Sequence, residues 1–135
     1  MKIFIDTSAF LAIINANDRV HAQAKIVWED ILTNDFLLIS SNYILLETTA
    51  LLQHRFGIEA LRSFNKNILP IIQIIWIDPT YHNSGMSGLM AANRRDFSLV
   101  DCTSFEVMRQ EALEHVFAFD PHFREQGFIL MPGES

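Results

Sequence analysis

Apolar and polar positions along this chain change over in short blocks. Ile3, Phe4 and Ile5 form an unbroken apolar run that stops at Asp6, the pattern of a short buried strand. A helical pattern follows over residues 9–14, and after the polar turn NANDRVHAQ a longer one covers residues 20–32. FLLIS at 36–40 reads as a second strand. Residues 42–56 form a strong helical segment stopped by Gly57, and 58–69 form another stopped by Pro70. IIQIIWI at 71–77 is a third strand. Helical patterns return over 81–93 and 99–115, and VFAFD (116–120) and FILM (128–131) supply two last strands.

Strands alternating with helices imply a parallel sheet joined by right-handed crossovers, with helices on both faces. Ligands of such sheets sit beyond the carboxyl ends of the strands, where the strand order reverses. Asp6, Asp78 and Asp120 all stand at strand ends of this kind. No internal repeat or Pro/Gly/Ser-rich linker breaks the alternation, so residues 1–135 are expected to form a single domain.

Composition narrows the class. Half of the 135 residues are hydrophobic and 11 are Phe, enough for a sizeable core. The single cysteine, Cys102, excludes an internal disulfide and a thiolate-rich zinc site, in keeping with a reducing cytoplasm. No secretory signal precedes Asp6, and ILPIIQIIWI (68–77) contains Pro70 and Gln73 and is too short to span a bilayer, so no membrane association is expected. A net charge of −6 argues against general nucleic-acid binding, unless carboxylates gathered around cations reverse the local sign.

The carboxylates differ in how much of them local structure explains. Asp6 reads either as a helix cap or as a ligand, although Thr7 and Ser8 are themselves capping residues. Glu47 has Tyr43, Ile44, Ala50 and Leu51 as helical neighbours and is expected on a buried face, where an unpaired charge is costly. Asp101 completes a capping pattern with Ser98, which is compatible with its also being a ligand. Asp96 reads as a loop residue. Asp78 and Asp120 each end a strand before a proline, and local pattern does not separate them. The histidines at 21, 54, 82, 115 and 122 show no paired ligand spacing and read as surface or core residues. Arg94 and Arg95 form a solvated turn just before Asp101, placed to hold a phosphate.

With these residues in place, the sequence resembles the PIN-domain ribonucleases, specifically the VapC-like toxins of type II toxin–antitoxin systems. The resemblance rests on IDTSAF, on a glutamate within an apolar helix (SNYILLETTALL), on SLVDCTSFEVM and on AFDPHFREQGF, and spans nearly the whole chain. It implies a three-layer α/β/α fold with a central parallel β-sheet of four to five strands. It places the family's catalytic and metal-binding acids at Asp6, Glu47, Asp101 and Asp120, gives Asp78 no counterpart, and matches Asp96 to an acidic position of some members only. It implies Mg²⁺- or Mn²⁺-dependent endoribonuclease cleavage of RNA to a 5′-phosphate and a 3′-hydroxyl, a cognate antitoxin protein as partner, and a cytoplasmic homodimer. An all-oxygen ligand set suits these hard ions. Thr7, Ser8, Arg94 and Arg95 are the candidate substrate-binding residues.

Two readings compete within the fold: a housekeeping RNA-processing nuclease and a catalytically silent binding module. Receiver domains and haloacid-dehalogenase-type phosphatases fit poorly. Asp6 lacks the acidic partner both require, and no lysine follows Lys66.

Overall fold

The computed structural model describes residues 1–133; Glu134 and Ser135, which the expected single domain includes, lie outside the described residues. Strands β1 (Lys2–Ile5), β2 (Leu37–Ser41), β3 (Ile72–Ile75), β4 (His115–Phe117) and β5 (Ile129–Met131) form one sheet in the order β3-β2-β1-β4-β5. Every neighbouring pair is parallel; Phe4, for example, lies between Ile39 on β2 and Val116 on β4. Helices α1 (Thr7–Ile14), α2 (His21–Thr33), α3 (Asn42–Phe56), α4 (Ile58–Asn67), α5 (Pro79–Ala92), α6 (Leu99–Gln110) and α7 (His122–Glu125) connect the strands and complete the three-layer α/β/α arrangement.

Strand β1 lies at the centre, covered on both faces, which is why its core run is continuous and not alternating. Ile3, Phe4 and Ile5 are completely buried, as are Phe64, Phe117 and Phe123. Full burial of each such side chain stabilises the fold by about 1.5–3 kcal/mol. The chain builds outward from β1 to β2 and β3, then returns to add β4 and β5 on the other side. The order therefore reverses between β1 and β4, and the segments leaving these two strands flank a crevice.

The predicted boundaries hold where a cap or breaker is local. Helix α3 spans 42–56 as expected, with Ser41 accepting the amide of Ile44 and Gly57 taking a positive φ of 86°. Helix α4 ends at Asn67, and Pro70 enters a single 3₁₀ turn, Leu69–Ile71. Helix α6 ends at Gln110, short of the expected 115, because His115–Phe117 pairs with β1. Asp120 and Pro121 read from the sequence as an N-cap and N1 pair, and the short helix α7 starts one residue later, with Pro121 as its N-cap. No helix among the described residues is long and apolar enough to cross a membrane.

Helices α5 and α6 meet at Gly85, where a β-carbon would sit 2.3 Å from Thr103 Oγ1 and 3.0 Å from Thr103 Cα. At Gly88, on the same helix, the corresponding space is open. Gly85→Ala is expected to lower stability by about 1–3 kcal/mol through overpacking. Gly88→Ala is expected to be neutral or to raise stability by up to about 1 kcal/mol through helix propensity. Urea unfolding of the two variants measures both effects, and equal midpoints would contradict this account of the α5–α6 contact.

Candidate active site

Asp6 leaves the carboxyl end of the central strand and is the N-cap of α1; the expectation that Thr7 or Ser8 would take over the capping is not met. Its Oδ2 accepts the amide of Ser8 at 3.2 Å and the Ser8 hydroxyl at 2.6 Å. The same Ser8 Oγ accepts the amide of Phe119 at 3.0 Å. One hydroxyl thus ties together the two segments that border the crevice. Asp6 is only 6% exposed, and burial pushes its carboxyl up from 3.8 to about 7, with Asp101 and Asp120 adding to the rise and Ser8 opposing it.

Glu47 projects from α3. The fully buried line of that helix is Ile44, Thr48 and Leu52, so Glu47 stands at its border and is half-buried, less deeply set than its sequence neighbours suggested. Desolvation raises its pKa, a hydrogen bond from Thr7 opposes this, and Asp101 and Asp120 raise it further. Thr7 is buried; its single hydroxyl proton is shared between Glu47 and a long 3.4 Å contact to the Ile44 carbonyl, while the Thr48 hydroxyl donates to it at 3.1 Å.

Asp101 lies in the first turn of α6. Its Oδ2 accepts the Ser98 amide at 3.0 Å, and Ser98 Oγ accepts the Asp101 amide at 3.0 Å, a complete capping box. The cap commits one carboxylate oxygen. Burial is the main cause that raises the Asp101 pKa, with Asp120 contributing. Asp120 follows β4 and accepts the His122 amide on Oδ1 at 2.9 Å. The four acids therefore converge: Asp6 and Glu47 each feel both Asp101 and Asp120, and Asp101 feels Asp120. Among the described residues, no lysine or arginine forms an ion pair with any of the four.

Asp78 does not join them. It is exposed, follows the edge strand β3 and caps α5 by accepting the Tyr81 amide at 2.9 Å. Arg94 has another occupation than phosphate: it bonds Asp96 through Nε and Nη2 and Glu125 through Nη1, and stacks 4.0 Å above the Phe97 ring. Arg95 is exposed beside it. Asp96, held by Arg94, accepts a hydrogen bond from His122 Nε2 at 3.1 Å.

His122 departs from the surface-or-core expectation. One ligand atom from each of Asp101, Asp120 and His122 lies within 4.8 Å of the others. Its sequence signal was the Asp-x-His spacing of DPHF, which an Asp side chain accepting the amide two residues on turns to one side. One buried carboxylate, Asp6, three partly buried ones and an orphaned ring nitrogen, His122 Nδ1, form a donor set that fits a divalent cation.

The sequence profile of the PIN domain matches residues 3–129. The chain is 31% identical over 128 residues to the 23S rRNA-specific endonuclease VapC20 of Mycobacterium tuberculosis, covering 94% of this chain and 95% of that protein. The crystal structure of VapC20, described as a sarcin–ricin loop cleaving toxin, superposes with a TM-score of 0.84 over 94% of this chain and 96% of its own. FitAcB from Neisseria gonorrhoeae, at 14% identity with 96% of each chain covered, has the same fold with a TM-score of 0.69. With its acids gathered at the β1–β4 crevice and this match over nearly its full length, the chain belongs to the PIN-domain family.

Proposed function

We propose that this protein is a divalent-metal-dependent endoribonuclease and the toxin of a type II toxin–antitoxin pair. The observation that carries the reading is the convergence of Asp6, Glu47, Asp101 and Asp120 with no lysine or arginine, among the described residues, paired to any of them. A silent binding module has no need of a site that is electrostatically costly in itself. Similarity to VapC20 favours the toxin over a housekeeping nuclease and makes 23S rRNA the first substrate to test. A cognate antitoxin, a homodimeric assembly and a cytoplasmic location belong to the same reading.

Asp6 and Asp101 are assigned as direct ligands of Mg²⁺ or Mn²⁺, with Asp120 completing the shell. A bound ion there would offset phosphate charge and favour ionisation of an attacking water. Glu47, half-buried and with its pKa raised, would complete the shell or orient that water and accept its proton. Ser8 holds Asp6 in position, and Thr7 does the same for Glu47. Arg95 is the assigned phosphate contact of the arginine turn, since Arg94 is held by two carboxylates.

Asp101→Ala or Asp6→Ala is expected to reduce Mn²⁺-dependent RNA cleavage by at least 100-fold, on the order of the loss when a charge-stabilising group is removed from an active site. Asp78→Ala is expected to cut RNA at the wild-type rate while losing about 1 kcal/mol of cap stability. Gel-resolved cleavage of 23S rRNA and of a generic RNA reads both, and equal rates in all three variants would overturn the assignment.

The raised Asp6 carboxyl also links stability to pH. A folded-state pKa above the ordinary value means that the native protein binds the proton more tightly than the unfolded chain does. This contribution is complete below about pH 4 and is lost as pH rises through about 7, at about 1.4 kcal/mol per pH unit. Asp96, held down to about 2, acts in the opposite sense, but only below pH 4. In chelator, the melting temperature of the wild type is expected to fall between pH 4 and 7, and Asp6→Asn to flatten that fall. Adding Mn²⁺ at pH 8 should raise the wild-type melting temperature more than that of Asp6→Asn. Superimposable pH profiles for the two proteins would remove Asp6 as the cause.

A further inference from the structure

We infer that His122 is a nitrogen ligand of the active-site cation, held in its metal-binding tautomer by Asp96. The inference rests on the metal-dependent reading above and adds to its carboxylates a donor of different chemistry.

Asp96 takes Arg94 Nε on Oδ1 at 3.0 Å and Arg94 Nη2 on Oδ2 at 2.7 Å, so as the carboxylate of a two-point guanidinium pair it only accepts hydrogen bonds. Nε2 of His122, 3.1 Å from Asp96 Oδ2, is therefore the donor. In the neutral imidazole the other nitrogen, Nδ1, then carries the lone pair. Phe97 packs edge-to-face on the ring with centroids 4.9 Å apart and fixes its plane, and Arg94 lies on the same Phe97.

Nδ1 has no hydrogen-bond partner although it is buried. It lies 3.1 Å from Asp120 Oδ1 but off the line of a hydrogen bond, and that oxygen already takes the His122 amide. A lone pair facing a carboxylate oxygen at this distance is repulsive unless something positive lies between them. Two adjacent ligands of an octahedral ion with bonds of about 2.1 Å are about 3.0 Å apart, which matches the observed separation. The third member of the group, Asp101, lies within the same 4.8 Å.

A carboxylate bonded to one imidazole nitrogen while the other faces a metal is a recurring arrangement that fixes the tautomer and raises ligand basicity. It gives Asp96 a role in orienting the ring. It also alters selectivity, because imidazole favours Mn²⁺ and later transition ions over Mg²⁺.

The experiment is pulsed electron paramagnetic resonance of the full-length protein loaded with Mn²⁺, with Mn²⁺ and Mg²⁺ titrated by calorimetry. The wild type is expected to show ¹⁴N coupling from a directly bound imidazole. His122→Ala is expected to lose that coupling and to bind Mn²⁺ at least tenfold more weakly, with a smaller loss for Mg²⁺. Asp96→Asn is expected to weaken Mn²⁺ binding while retaining the coupling. Tight Mn²⁺ binding by the wild type without ¹⁴N coupling overturns the assignment and leaves the nuclease reading standing. Absence of Mn²⁺ binding at the four acids overturns both. The wild-type spectrum alone is decisive, so a failure of His122→Ala to fold does not rescue the inference.

Discussion

A carboxylate buried at the end of the central strand cannot keep its charge without compensation, and the arrangement around Asp6 follows from that constraint. Ser8 supplies two hydrogen bonds to it, which favour the charged form, but burial and the acids at 101 and 120 outweigh them. The balance leaves the Asp6 carboxyl well above the ordinary aspartate range, a shift that a nearby cation would oppose. The core packing of β1 and α1 holds the site open against its own repulsion. Ile3, Phe4, Ile5, Ala9 and Phe10, on either side of Asp6, are at most 2% exposed.

The acids are also structural atoms. Asp6 caps α1, Asp101 closes the capping box of α6, and Asp120 turns the chain into α7. Each carboxylate is therefore oriented by backbone bonds that exist before any ligand arrives. Such bonds fix direction while committing one oxygen of each carboxylate, so the site is preorganised by the same interactions that start its helices. The capping reading and the ligand reading of these residues, which look like alternatives in the sequence, are compatible in the fold.

Beyond the acids, a chain of polar contacts runs from the surface inward. Glu125 and Asp96 hold Arg94, Asp96 holds the His122 ring, and His122 stands beside Asp120. The surface ion pairs in that chain contribute little to stability on their own. Their consequence is orientation, because the contact of Asp96 with Nε2 leaves Nδ1 of the ring facing Asp120.

Much of this protein was legible in the chain itself, because the signals involved are local. The unbroken run Ile3–Phe4–Ile5 announced a strand covered on both faces, and Ser41 and Gly57 marked both ends of α3. The alternation of strand and helix gave the parallel sheet, and the motifs around Asp6, Glu47, Asp101 and Asp120 gave the family. Tertiary structure alone decided the rest. The end of α6 was set by strand pairing between His115–Phe117 and β1, more than 100 residues away in sequence, which overrode a continuing helical pattern. Glu47 lies at the border of its helix's buried face because the neighbouring Thr48 turns inward toward Thr7. Arg94 is occupied by Glu125, and His122 by Asp96, through contacts between residues about thirty apart along the chain. Periodicity and caps act over one or two helical turns and so can be read along the sequence. The partner of a charge is fixed only when the backbone brings distant residues within a few ångströms, and that depends on the whole fold.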